Sequence, residues 1–310
     1  MGRNSYKDTT LVAYNGMHDP DSLYGNTYLS KYRPSVDWEQ SSEGLVVYME
    51  QKGMDQVLDF ETYAIGVLGA VLDSDAHDET LKTMAVILRT YLYCVAENRT
   101  YVDGTRLNQP WMSARERWIK GVEDERLRKA IRETQDCIIL YKGEPILPLY
   151  YAVSNGKTRY YSEVWSGNIE YLVGVESLWD KSAPEYIQKF SFSEDRWQRA
   201  WSHSVDIKDN KVDSGGQWSA DHMQIVEKDS AGYVKQIQIG AEVYSGEEVR
   251  QRLGLSSACF EYVVKKSHIE FTCYGEGHGV GLSLFGANAM ANEGKTWKEI
   301  ISWYFPGTNV

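Results

Sequence analysis

The sequence predicts an α+β protein in which helices and β-hairpins occupy separate stretches, and three observations predict it. Residues 63–95 carry two helical periods separated by an acidic break. Three later stretches, 137–153, 223–240 and 258–274, each set two strand-like runs about a short turn, the mark of hairpins, with apolar residues alternating in 223–240. Glycines then alternate through 275–281 ahead of two further helical stretches.

Composition sets the frame. A chain of 310 residues with 42% hydrophobic and 25% charged residues is long enough to bury a substantial core. A net charge of −11 argues against nucleic acid as a partner, because phosphate binding needs a basic surface. No apolar run approaches the ~20 residues of a membrane helix, and the first residues do not read as a signal peptide. The 22 tyrosines and 10 tryptophans supply flat amphipathic rings that suit either packing between layers or stacking on sugars.

Along the chain, residues 1–43 are polar and read as an arm with little regular structure. GLVVYME (44–50) reads as a strand, and Asp59-Phe60-Glu61 leads into the first helix. That helix has Tyr63, Val67, Ala70 and Val71 at helical spacing. The second has Leu81, Met84, Ala85, Leu88, Leu92 and Val95 on one stripe. Between them Ser74, Asp75 and Asp78 are candidate N-caps. Residues 98–112 are loop-like, and 124–134 are again helical, with Leu127, Ala130 and Ile131 on one face. CIILY (137–141) and PILPLYYAV (145–153) read as a hairpin about Lys142-Gly143. Trp197, Trp201 and Trp218 form either a sugar-facing wall or a small core of their own. The Ser245 stretch opens a short helix, and Thr296 with Glu299 makes a capping box for the last one, which Pro306-Gly307 stops.

Cys94 and Cys137 read as small buried hydrophobes. Cys259 and Cys273 lie on strands flanking Lys265-Lys266-Ser267. A three-residue loop would place them opposite each other, and two reduced thiols are expected. No His or Cys set has metal-ligand spacing. The glycines follow GxGxGxG rather than GxGxxG, so they are not a dinucleotide fingerprint, and no cofactor is expected. They do allow close backbone approach to a ligand ahead of a helix N-terminus.

Tyr63, Gly66, Val67, Leu81, Lys82, Ala85, Arg89, Thr90 and Tyr91 resemble, without a gap, the signature of the stage II sporulation protein D family, which also takes in amidase enhancers. Ser154, Gly156, Glu163, Val164, Trp165, Gly167, Tyr171, Leu172, Trp179 and Asp180 fit its middle segment. Gly277, His278, Gly279, Val280, Gly281, Ser283, Gly286 and Ala287, with Pro306, Gly307 and Thr308, fit its C-terminal one. The resemblance spans 44–308 and implies one domain that can divide into two lobes, 181–274 being the second.

It also implies a lytic transglycosylase fold with a glycan groove between the signature helices and the glycine loop. In such enzymes one glutamic acid protonates the bond between N-acetylmuramic acid and N-acetylglucosamine, then acts as base while an anhydro ring closes. The position of that glutamate is Val71 here, and valine carries no proton. Asp73 is the nearest substitute, with Asp75 and Glu79 weaker ones. Some family members hold zinc with His and Cys near the middle segment. Ala152 stands where a family histidine is usual and no Cys lies between 138 and 258, so no metal is assigned.

Lys82, Arg89, His278, Gly279 and Ser283 correspond to residues expected to bound the groove. A histidine of ordinary pKa could also donate a proton near neutrality, or His278 could instead bond backbone between the glycines. The expected role is peptidoglycan strand binding without cutting in sporulation or wall remodelling, with an amidase or engulfment proteins as further partners. Retained cleavage by a relocated acid, and an amidase enhancer or scaffold with no glycan contact, are the alternatives. The family also implies an extracytoplasmic location, with membrane contact only through an anchor that is not in this sequence.

Overall fold

The computed structural model of the protein describes residues 46–51, 54–96, 101–104, 107, 109–201 and 223–310. The polar arm (1–43) and Trp218 lie outside the described residues. The chain forms two compact units, one of residues up to 148 together with 290–310, the other of 149–289. The expected second lobe, 181–274, falls inside the second unit, which begins earlier and ends later.

In the first unit, β1 (Val46–Gln51) pairs antiparallel with β2 (Met54–Asp59) and parallel with β3 (Tyr101–Asp103). The sequence announces β1 but not β2, whose MDQVLD lacks a clean two-residue alternation. Asp59 ends β2 and caps helix α1 (Phe60–Val71), accepting from the Thr62 N–H at 2.8 Å.

Every residue of α1 from Tyr63 to Ala70 is buried, as expected of a helix apolar on all sides. Helix α2 (Asp78–Ala96) buries the predicted stripe from Leu81 to Leu92, leaves its last member, Val95, half-buried, and also buries Val86, Ile87, Thr80, Thr83 and Thr90. It is therefore covered on more sides than a single stripe implies. Its buried threonines turn their hydroxyls back onto their own helix, Thr83 to the Glu79 carbonyl and Thr90 to that of Val86. The cap of α2 is none of the three candidates: the imidazole of His77 accepts from the Glu79 N–H at 3.2 Å, and Asp78 is already in the first turn.

Helices α3 (Ala114–Lys120) and α4 (Asp124–Glu133) follow, α4 burying Leu127, Ala130 and Ile131 as predicted. The expected hairpin after it is short. β4 (Leu140–Tyr141) pairs with β5 (Glu144–Pro145) about a turn whose Lys142 and Gly143 both have positive φ.

The second unit begins with β6 (Tyr150–Tyr151). It contains the strand β7 (Ile187–Ser193), helix α5 (Glu194–Trp201), and the strands β8 (Met223–Lys228), β9 (Val234–Ile239) and β10 (Glu242–Ser245). Helix α6 (Gly246–Leu253), β11 (Phe260–Val264), β12 (His268–Tyr274) and β13 (Leu282–Ser283) complete it. The sheets run β10-β9-β8 and β11-β12-β7, while β13 lies parallel to β6. Trp197 and Trp201 are buried in one core with Phe192, Ile237, Val249, Phe260 and Phe271, so these two rings are core rather than a sugar-facing wall. Helix α7 (Leu284–Asn292) carries the chain out of this unit, and α8 (Trp297–Tyr304) follows with the predicted capping box.

The expected pairing of Cys259 with Cys273 is overturned. Phe260 pairs with Cys273 and Val264 with Ile269, so the connecting loop has four residues, not three. A one-residue shift sends neighbouring side chains to opposite faces. Cys273 is accordingly in the main core, while Cys259 packs with Tyr233 and Ala258. All four cysteines are free, and Cys94 and Cys137 are only partly buried. Among the described residues no helix is long and apolar enough to cross a membrane.

Candidate functional site

Val71 is the last residue of α1, half-buried, and the chain turns to extended backbone at Leu72. Two glycines one turn apart let a neighbouring segment lie directly on α1. A Cβ at Gly66 would sit 2.0 Å from the Trp111 indole, and one at Gly69 would sit 2.5 Å from Arg117. The Met112 N–H donates to the Gly66 carbonyl at 3.0 Å.

The same segment caps the helix. Lys120 donates to the carbonyls of Gly69 at 2.9 Å and Leu72 at 2.8 Å, on either side of Val71. An ammonium at a helix C-terminus offsets the partial negative charge there. Burial lowers the Lys120 pKa, and nearby Asp73 opposes that shift.

Asp73 is exposed, and it lines a small open pocket with Leu68, Gly69, Leu72, Glu123 and Arg126. Arg126 pins the turn behind it, donating to the Ser74 and Ala76 carbonyls at 3.0 and 2.7 Å. Glu79 is occupied at both oxygens, accepting from Lys82 and from the Trp297 N–H, each at 2.8 Å.

Lys82 and Arg89 share one side of α2, as seven-residue spacing requires, and that side meets the end of α4. Lys82 pairs with Glu133 and Glu79, each at 2.8 Å, and these bonds raise its pKa, Glu133 most. Arg89 is buried and donates to the carbonyls of Thr134 at 2.7 Å, Cys137 at 3.1 Å and Ile131 at 3.3 Å. Its guanidinium therefore closes the C-terminal end of α4, and it stacks on Phe60 at 4.7 Å. Losing charged bonds to buried carbonyls leaves those carbonyls unsatisfied. Arg89→Met should therefore cost about 3 kcal/mol in urea unfolding, whereas Lys82→Met, whose pairs are part-exposed, should cost under about 1 kcal/mol.

In the second unit the glycine loop is bound to its own protein. Gly275, Gly277, Gly279 and Gly281 all have φ between 79° and 105°. A Cβ at Gly281 would lie 2.2 Å from the Leu149 carbonyl oxygen, and one at Gly277 would lie 2.8 Å from Tyr151. What these glycines approach is the segment 149–159, not a space left for a ligand. Bridges from Glu276 to Val153 and from Val280 to Arg159 lace the two together.

His278 is buried between the rings of Tyr151 and Trp165, at 5.5 and 5.2 Å. Its Nδ1 accepts from the Val280 N–H at 3.1 Å. Burial pulls its pKa down to about 3. Of the two readings of His278, this geometry fits the one in which it bonds backbone between the glycines, with the imidazole neutral near pH 7. Below a pH of about 6.5 an unfolded histidine takes up a proton that the folded one refuses. This residue therefore costs stability progressively as pH falls from about 6.5 to about 3.

Ser283 is fully buried and donates to Asp180 at 2.8 Å, while accepting from the Gly286 N–H at 3.2 Å to cap α7. Asp180, also fully buried, takes further bonds from the Ser154 N–H at 2.9 Å and from the Ser154 hydroxyl. Burial raises its pKa, and the serine hydroxyls oppose the rise. Arg159 is the ionic centre of this unit. It meets Asp229 and Glu247 at 2.6 Å each, donates to the His278 carbonyl at 3.1 Å and stacks on Tyr233 at 4.5 Å. Neither Asp180 nor Arg159 carries a site motif signal by itself; the buried environment that gives each its role is invisible in sequence. Among the described residues no group of three or more His, Cys, Asp or Glu side chains is placed to hold a metal ion.

Comparison with known proteins gives a consistent picture. Residues 49–141 match the stage II sporulation protein family, SpoIID. The chain is 29% identical over 283 residues to stage II sporulation protein D of Bacillus subtilis (strain 168), covering 87% of this chain and 79% of that protein. It is 29% identical over 285 residues to the protein of the same name from Bacillus amyloliquefaciens, covering 88% and 80%. An amidase enhancer of Bacillus subtilis (strain 168) is 24% identical over 275 residues, covering 75% of this chain and 38% of that protein.

Proposed function

Because the chain belongs to the stage II sporulation protein family, we propose that it acts on the cell wall during sporulation by binding peptidoglycan glycan strands without cutting them. One observation carries the second half of this reading. Val71 ends α1 where the resemblance puts the catalytic glutamate, and the substitutes Asp73 and Glu79 are each poorly suited to replace it. Asp73 is exposed rather than set in the partly apolar cleft that a neutral-pH proton donor needs. Glu79 is held by Lys82 and the start of α8. Lys82 then serves binding, not chemistry. The location is extracytoplasmic, at the wall.

The similarity to an amidase enhancer supports a second reading, a scaffold that works on an amidase and makes no glycan contact. Purified stem-stripped glycan strands separate the two. Co-sedimentation of the protein with intact strands, with no anhydro ends in their mass spectra, is the expected result. Anhydro products lost on Asp73→Asn would overturn the non-cutting reading, and absence of any strand binding would leave the scaffold.

A further inference from the structure

Helix α3 presents an exposed apolar face that none of the described residues covers. Trp118 is 80% exposed, the highest value of any large apolar side chain among the described residues, and Ile119 beside it is 67% exposed. Arg115, one turn back on the same face, is also exposed and makes no ion pair among the described residues. A single exposed leucine or valine is ordinary; a tryptophan and isoleucine side by side are not.

The face is held rigidly. Ser113 and Glu116 form a capping box at its start, and Gly121 ends it in the left-handed conformation. Arg117, pointing the other way, is buried and makes a two-pronged pair with Asp124 at 2.7 Å. Lys120 fastens the helix to the carbonyls of Gly69 and Leu72, at the end of α1 that carries Val71. A ring displayed on so short and so well-anchored a helix loses little freedom when it binds something.

We propose that Arg115, Trp118 and Ile119 form a subsite for a carboxylated aminosugar beside the Val71 end of α1, an inference that rests on the glycan-binding reading above. The choice of occupant follows from charge and shape. An otherwise acidic chain, at −11, places a cation here next to a flat apolar ring. The apolar face of a pyranose stacks on an indole. The lactyl carboxylate of N-acetylmuramic acid, exposed once stem peptides are removed, pairs with a guanidinium in a fixed fork.

The test compares the full chain with Trp118→Ala, Trp118→Phe and Arg115→Gln by calorimetric titration, with thermal melts confirming the fold. The two ligands are stem-stripped glycan strands and oligomers of N-acetylglucosamine alone. Trp118→Ala should weaken strand binding about tenfold, and Trp118→Phe should restore most of it. Arg115→Gln should weaken strand binding about threefold and leave the uncharged oligomers unchanged. Equal affinity for all variants, with the unaltered chain still binding, would overturn the subsite and leave strand binding in place. No binding by the unaltered chain would overturn both. Loss of amidase association in Trp118→Ala, with strand binding unchanged, would make the face a protein-docking surface and overturn the sugar assignment.

Discussion

Val71→Glu should release anhydro-muropeptides from glycan strands where, on the proposed reading, the unaltered chain releases none. General acid catalysis contributes about 10²–10⁴-fold, so a correctly aimed carboxyl is expected to raise product about a hundredfold above the assay background that the unaltered chain gives. Position 71 has two properties that favour a protonated carboxyl at neutral pH: it is half-buried, and it closes a helix whose C-terminal end disfavours an anion. Lys120 works against both, since its ammonium sits on the carbonyls flanking the position. The pH optimum of Val71→Glu should therefore lie on the acid side of neutrality, where the carboxyl is protonated despite that ammonium. Mass spectrometry of digested strands reads the product across pH. No product at any pH, in a variant that still binds strands, would show that more than the acid has been lost.

Arg159→Met should destabilise the protein by about 3–5 kcal/mol, the cost of leaving buried carboxylates without their cation. Asp229 is fully buried and Glu247 nearly so, and both depend on this guanidinium, although Glu247 keeps Arg250 at 2.7 Å. The same substitution frees the His278 carbonyl and so loosens the glycine loop. Chemical denaturation followed by circular dichroism measures the loss. The double variant Arg159→Met/Asp229→Asn should recover part of it, because removing the stranded charge removes its desolvation cost. A loss below about 1 kcal/mol would mean that the network is solvated and screened as surface pairs are.

Much of this protein was legible from local pattern. The two signature helices, α4 with its buried Leu127, Ala130 and Ile131, the opening of α6 at Ser245 and the capping box of α8 depend on neighbours within a few residues, and local pattern reports those directly. The resemblance to the family could be seen because its residues lie in contiguous blocks, and the same resemblance puts Val71 where the family glutamate is expected.

What only the tertiary structure decided is where each candidate side chain points and what it meets. Seven-residue spacing put Lys82 and Arg89 on one side of α2, but not that the side would face the end of α4 and bury Arg89 on three carbonyls. GxGxGxG announced close backbone approach without saying that the approaching partner is 149–159 of the same chain. One extra loop residue between β11 and β12 set Cys259 and Cys273 on opposite faces, because side chains alternate along a strand. The pKa of His278 fell to about 3 because long-range packing between Tyr151 and Trp165 removed it from water. Burial and partner identity arise from residues tens to more than a hundred positions apart, and a pattern read along the chain contains no distance between them.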